Sequence, residues 1–146
     1  MENIEIQIVE YNSDLQKKSV ELRTKILREP LGLVYTPEQL ADEKEEIHIV
    51  ALKDDKVVGV LVLKKMDDKL LKMRQVAVDT DLQKSGIGKQ LVIFSEEYAK
   101  EHGFNIIELH ARDAAKDFYL RLGYKVEGEE FTEVGISHYK MKKELK

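Results

Sequence analysis

Residues 70–103, LLKMRQVAVDTDLQKSGIGKQLVIFSEEYAKEHG, decide the fold. The stretch opens as an apolar strand over residues 70–78 and passes through a polar turn carrying Gln83-Lys84-Ser85-Gly86-Ile87-Gly88-Lys89. It continues as an amphipathic helix over residues 86–101. Ile87, Leu91, Phe94 and Tyr98 recur at helical spacing and predict its buried stripe, and Gly103 is placed to end it. A glycine-bearing turn that runs straight into a helix leaves unpaired backbone N–H groups at the positive end of the helix dipole. That is a site for a phosphate or pyrophosphate.

Outward from this stretch, the pattern predicts strands on both sides. Upstream, the β-branched runs at residues 48–53 and 57–65 predict a hairpin turned by Asp54-Asp55-Lys56, and residues 66–69 predict a second turn. Before them, Ser13 with Gln16 and Thr36 with Gln39 are two capping-box signatures, the second with Pro37 at the first helical position. The first predicts a helix with Leu15, Ser19, Leu22 and Ile26 on one face, ending before Pro30. The second predicts a short acidic helix to about Glu45, and residues 29–35 between them predict a loop. Ile4, Ile6 and Ile8 alternate with polar residues as a strand with one buried face does. Downstream, residues 106–110 predict a strand. Asp113 is placed to cap a helix with Ala115, Phe118, Tyr119 and Leu122 inward, ended by Gly123. Residues 124–127 and 136–141 predict a final antiparallel pair. The element order is βααβββαβαββ: an α/β (α+β) protein with a mixed, mostly antiparallel sheet flanked by helices.

The chain has 146 residues with 42% hydrophobic and 36% charged, which fits one domain spanning residues 1–146. Its formal charge of −4 argues against a nucleic-acid partner. There is no cysteine, so disulfides, thiolate metal sites and a cysteine nucleophile are excluded. No apolar run approaches a membrane span, and the acidic start lacks the layout of a signal peptide, so a cytoplasmic protein is expected.

The turn is not a Walker A loop, because Gln83 and Gln90 stand where that motif needs glycine and Ser or Thr. It is not a dinucleotide fingerprint, because Leu91 stands where the third glycine belongs. What remains is Gln-x-x-Gly-x-Gly between a strand and a helix. Together with Val76-Ala77-Val78 and the segment Ala115-Lys116-Asp117-Phe118-Tyr119-Leu120-Arg121-Leu122-Gly123-Tyr124, it resembles the GNAT superfamily of N-acetyltransferases over essentially the whole chain. The last segment is similar to the family's A-x-x-F-Y-x-x-L-G-F/Y.

The resemblance implies acetyl-CoA as co-substrate, no metal, and direct acetyl transfer to a primary amine of a small molecule or peptide. Backbone amides across Gln83, Lys84, Ser85, Gly86, Ile87, Gly88 and Lys89 would hold the pyrophosphate, with Lys84 and Lys89 adding charge. Val76, Ala77 and Val78 would pair through their backbone with the pantetheine arm at a bulge, the valines keeping their side chains in the core. Tyr119 would protonate the departing thiolate, and the backbone of Val76 would stabilise the oxyanion. Arg112 departs from the asparagine that many relatives carry there; it would contact CoA, face the acceptor, or pair with Asp113 or Glu108. The base is open among Glu108, His110, Glu133, His138 and water. The ending Gly135-Ile136-Ser137-His138 resembles the G-I-P-H of one bacterial branch. Family acceptor pockets use the first helices and last strands, here residues 23–35 and 129–138. Arg23 and Arg28 would suit a carboxylate there, and Glu129, Glu130 and Glu133 an amine. A catalytically inactive acyl-CoA-binding module, a nucleotide-binding switch, and monomer against homodimer stay open as alternatives.

Overall fold

The structure is a computed structural model that describes residues 4–83 and 85–146. Among the described residues the elements are β1 (Ile4–Val9), α1 (Asp14–Arg23), α2 (Pro37–Ala41), β2 (Ile47–Lys53), β3 (Lys56–Lys65), β4 (Leu70–Val78), α3 (Ile87–Glu101), β5 (Ile106–Arg112), α4 (Lys116–Arg121), β6 (Lys125–Val126), β7 (Phe131–Glu133) and β8 (Ile136–Glu144). They form a mixed, mostly antiparallel eight-stranded sheet in the order β1-β2-β3-β4-β5-β8-β6, with β7 on β8. β4 and β5 run parallel. Two compact units share the chain: residues 1–64 with 75–95, and residues 65–74 with 96–146. β4 and α3 each run through both.

In the first unit, β2 and β3 are apolar on both faces, as central strands are. Val50, Leu52 and Val57 pack under Val9, Leu15 and Leu22; Val60, Val62 and Ala77 pack under Leu22, Ile26 and Leu27. Burying side chains of this size contributes about 1.5–3 kcal/mol each. Gly59 in β3 sets how closely α3 docks. A Cβ there would lie 3.0 Å from Leu91 Cδ1, 3.1 Å from Ile87 Cγ2 and 3.3 Å from Ala51 Cβ. Any larger residue would push the first turns of α3 off the sheet.

α1 and α2 start at the capping signatures. Ser13 Oγ accepts from the Gln16 N–H at 3.2 Å, but Gln16 Oε1 reaches the Asn12 N–H (3.0 Å) rather than that of Ser13. Thr36 and Gln39 form the complete reciprocal box. Three expectations change here. α1 does not run unbroken towards Pro30 but widens into a π turn at Thr24–Arg28, and a single 3-10 turn at Glu29–Leu31 takes in the proline where a loop was expected. α2 stops at Ala41, short of Glu45.

In the second unit, β5 pairs with β8 from Ile106↔Glu144 to Arg112↔His138. β6 and β7 take separate stretches of the other β8 edge. The segment after Gly128 therefore holds a short strand that the sequence pattern does not announce, because Phe131 and Thr132 sit among glutamates. Asp113 does not cap α4; it opens a 3-10 turn, Asp113–Ala115, and Ala115 precedes the helix without a side-chain cap. On α3 the fully buried row is Ile87, Leu91, Ser95 and Ala99, with Val92 beside it. Phe94 and Tyr98 are only half-buried. Tyr98 instead stacks on His102, 4.0 Å between centroids.

Candidate active site

The first unit carries the turn. Asp79 leaves β4, its amide donating to the Val58 carbonyl at 2.8 Å, and its carboxylate accepts from the Asp81 N–H at 3.1 Å. A 3-10 turn, Thr80–Leu82, follows. The Ser85 amide donates to Leu82 O at 3.2 Å, and its hydroxyl is spent on the same carbonyl. Gln83 Nε2 donates to Val78 O at 3.1 Å, tying the turn to the end of the strand. Gly86 sits at φ +91°, and its carbonyl accepts from Gln90 N at 3.0 Å as α3 begins.

The N–H groups of Ile87, Gly88 and Lys89 lie in the first turn of a fifteen-residue helix, where no intrahelical carbonyl reaches them. Among the described residues nothing lies within 4 Å of where a Gly86 Cβ would stand, so glycine answers to the left-handed φ there. A positive helix end with amides free of intrahelical partners is a place where a phosphate group could be held. Ile87 is 2% exposed and anchors the turn. Lys89 is exposed, and Lys84 lies outside the described residues.

Just upstream, β4 breaks its own regularity. Its pairing with β5 runs from Leu70↔Ile106 to Met73↔Leu109, and Gln75 then takes φ +54°. A non-glycine residue in the left-handed region inside a strand marks a bulge and stores strain of about 1–3 kcal/mol. The Tyr35 hydroxyl donates to Gln75 Oε1 at 2.5 Å and holds it. Beyond the bulge Ala77 takes the core position at 4% exposure, while Val76 and Val78 are half-buried. The expectation of two core valines is corrected: Leu71, Met73 and Ala77 are the buried residues of β4, and the two valines flank the last of them.

Tyr35 also lies under two guanidinium groups, Arg23 at 4.6 Å and Arg28 at 4.4 Å from the ring centroid. Arg23 is wholly buried and donates from Nη2 to Glu43 Oε1 at 2.5 Å. It is a structural buried pair, one that costs about 3–5 kcal/mol when a single partner is lost.

The second unit carries the two tyrosines of the family-like segment, 5.8 Å apart and edge-on. Tyr124 Oη donates to Glu96 Oε2 at 3.0 Å, and Lys143 Nζ donates to Glu96 Oε1 at 2.9 Å and to Leu122 O at 2.8 Å. Tyr119 is 6% exposed, with Phe118 against it at 5.0 Å. Burial pushes both phenols above the ordinary tyrosine range, and for Tyr124 the Glu96 carboxylate adds to it. Both therefore hold their protons at neutral pH. Tyr124 has spent its hydroxyl, whereas Tyr119 Oη makes no hydrogen bond with a described residue. Arg112 ends β5 half-buried, opposite His138.

Three of the four candidate bases come together. Glu133 Oε1 lies 3.1 Å from His110 Nδ1, and Oε2 lies 3.6 Å from His138 Nε2. Glu108 is set apart, 3.4 Å from Lys140 Nζ, whose ammonium it holds above the usual lysine range. Glu130 accepts from Ser137 (2.5 Å) and Tyr139 (2.9 Å), which hold its carboxyl below the usual range, so it braces the β7–β8 segment. Glu129 is exposed. Among the described residues no group of three or more His, Asp or Glu is arranged to hold a metal, and no helix is long and apolar enough to cross a membrane. Gln75, Tyr35, Glu43 and Gly59 were not foreseen. Each acts through a partner 20 or more residues away, except that the isolated Gln75 between Met73 and Val76 hints at an interrupted strand.

A family model described as an acetyltransferase (GNAT) domain matches residues 26–145. The chain spans about half the length of the first curated relatives it matches. It is 38% identical over 74 residues to the uncharacterized protein YyaT of Bacillus subtilis, covering 51% of this chain and 50% of that one. Among solved structures, a Lactobacillus plantarum protein superimposes with a TM-score of 0.87 at 25% identity, over 97% of this chain and 98% of the other. A GNAT family acetyltransferase from Elizabethkingia anophelis, solved with acetyl-CoA bound, superimposes with a TM-score of 0.76 at 18% identity, over 98% and 99% of the two chains.

Proposed function

This chain belongs to the GNAT acetyltransferase family, and from that premise we propose that its 146 residues act as one domain that moves an acetyl group from acetyl-CoA to a primary amine by direct transfer, in the cytoplasm. The observation that carries the reading is the turn itself: a left-handed Gly86 at the start of a long helix, with the side chains of Asp79, Gln83 and Ser85 bonded to the backbone and the amides of the first helical turn without an intrahelical partner. The amides of residues 86–89 would bind the pyrophosphate, and Lys89 would add charge. Gln75 takes a left-handed φ, and the β4–β5 register ends at Met73↔Leu109, so Val76 and Val78 lie in the strand beyond that pairing, which suits pairing with an extended arm.

Acetyl-CoA supplies a thioester whose carbonyl carbon accepts the amine. As the C–N bond forms and the C–S bond breaks, Tyr119 Oη is the group to protonate the thiolate. Burial keeps that proton on the phenol, and among the described residues no acceptor is hydrogen-bonded to it. The backbone N–H of Val76 is assigned to the oxyanion.

The test has two arms. Acetyl-CoA should raise the melting temperature while ATP and NAD do not, because only a ligand of the folded state stabilises it. A panel of amines, followed by release of free CoA, should then find turnover. Protection without turnover by any amine would reduce the protein to an acyl-CoA-binding module.

A further inference from the structure

The paired strands β5 and β8 put Glu108, His110 and Arg112 on one face with Lys142, Lys140 and His138 directly opposite. β7 adds Phe131, opposite His138, and Glu133 two residues on. Along part of this face the charges are matched: Lys140 Nζ lies 3.4 Å from both Glu108 and Glu127, and Lys142 Nζ 3.3 Å from Glu127. At Glu133 they are not. Its carboxylate meets two imidazoles and no ammonium within salt-bridge distance among the described residues.

The protons can be assigned from the partners. An ionised carboxylate only accepts, so at 3.1 Å His110 presents Nδ1–H to Glu133, and its Nε2 is left with a bare lone pair. His138 lies with Nδ1 at 2.8 Å from the Ile136 carbonyl, another pure acceptor, so Nδ1 again carries the hydrogen. Its Nε2 at 3.6 Å from Glu133 is beyond hydrogen-bond reach. The two rings differ in access: the His110 side chain is 26% exposed and that of His138 5%. Phe131 fixes both, edge-on to His110 at 5.0 Å and stacked on His138 at 5.9 Å. A carboxylate that orients an imidazole and leaves the far nitrogen open is the arrangement of a general base.

We propose that His110 is the base that takes the proton from the acceptor ammonium, with Glu133 as its positioning residue. The proposal rests on the acetyl-transfer reading. The ammonium N–H bond breaks towards His110 Nε2, the electron pair stays on nitrogen as the nucleophilic lone pair, and the proton passes to solvent from the partly exposed ring. Before uptake the Glu133–His110–His138 group carries one negative charge, which attracts an ammonium; after it the charge is zero. The other ionisable groups on this face are His138, Arg112, Glu108, Lys140 and Lys142, with Glu127 against the two lysines; Lys140 is matched by Glu108 and Glu127, and Lys142 by Glu127.

Two measurements test it. Nitrogen NMR of the imidazoles in the free protein should find His110 as the Nδ1–H tautomer, and Glu133→Ala should abolish that preference; an Nε2–H tautomer in the wild type overturns the assignment. His110→Gln should lower kcat/KM for the amine about 100-fold and move the acid limb of the pH profile up to the ionisation of the amine itself, so that the variant recovers towards wild type only where the amine is already neutral. Thermal protection by acetyl-CoA should not change. A deficit that is equal at every pH, or an unaltered profile, overturns the proposal while leaving acetyl transfer in place. A wild type that turns over no amine overturns both.

Discussion

The turn after β4 and the polar face of β5 and β8 use their atoms in opposite ways. In the turn, side chains do the holding: Asp79 caps Asp81, Gln83 and Ser85 bond to carbonyls of the segment they leave, and Ile87 is packed under Gly59. The backbone is left to meet a ligand. On the strand face the backbone is consumed by the ladders from Ile106↔Glu144 to Arg112↔His138, and the side chains carry the chemistry. An anion of fixed shape is met by N–H groups whose directions follow from φ and ψ. A proton moving on and off an amine needs a group that titrates, which a backbone cannot provide. Binding should therefore depend on conformation at the turn, and turnover on functional groups elsewhere.

The largest effect that would break this division is at Gly86. Gly86→Val forces a β-branched residue into φ +91° with no described residue in its way. It should cost about 1–3 kcal/mol of stability and leave a folded chain. Acetyl-CoA affinity should fall at least about 100-fold, or ~2.7 kcal/mol, by calorimetric titration. Undiminished affinity would remove the turn as the phosphate site. Next comes Tyr119→Phe, which keeps the ring and deletes a hydroxyl that makes no hydrogen bond with a described residue. kcat should drop about 100-fold with acetyl-CoA affinity nearly unchanged. A loss of affinity without a loss of kcat would reverse the division.

How much of this was legible in the sequence follows the same line. The turn, both N-terminal caps, the hairpin at Asp54-Asp55 and the strand–helix order are local, and residues within five positions of one another decide them. The motif around Tyr119 was legible for the same reason. The Gln75 bulge, the Tyr35 tether 40 residues away, the pair Arg23–Glu43 and the meeting of His110 with Glu133 across 23 residues depend on register and packing. Arg23 shows the limit: next to a loop it suggests an exposed anion binder, and in the fold it is wholly buried on Glu43. β7 was missed because three residues flanked by glycines and glutamates make too short an alternation to register.

A smaller effect sharpens the contrast within the turn. Gln83→Ala removes the single bond from Nε2 to Val78 O and no proposed ligand contact of the side chain. A hydrogen bond of this kind contributes about 0.5–1.5 kcal/mol, so acetyl-CoA affinity should weaken by roughly tenfold or less, with kcat at saturation unchanged.

The smallest effect separates the two tyrosines. Both phenols are raised above the ordinary value of 10.0 by burial, so in the alkaline range the unfolded chain ionises first while the native state keeps its protons. Their contribution to stability is complete below about pH 10 and declines as pH rises through the folded-state values. Melting temperatures should therefore be flat in this respect up to that pH and fall beyond it. Tyr124→Phe and Tyr119→Phe should each make the fall shallower by one titrating group. At neutral pH they part: Tyr124→Phe gives up the bond to Glu96, about 1 kcal/mol, with kcat untouched, while Tyr119→Phe gives up no bond and loses turnover. If both cost stability and neither costs turnover, the hydroxyl of Tyr119 is packing alone, and the proton for the leaving thiolate comes from another group.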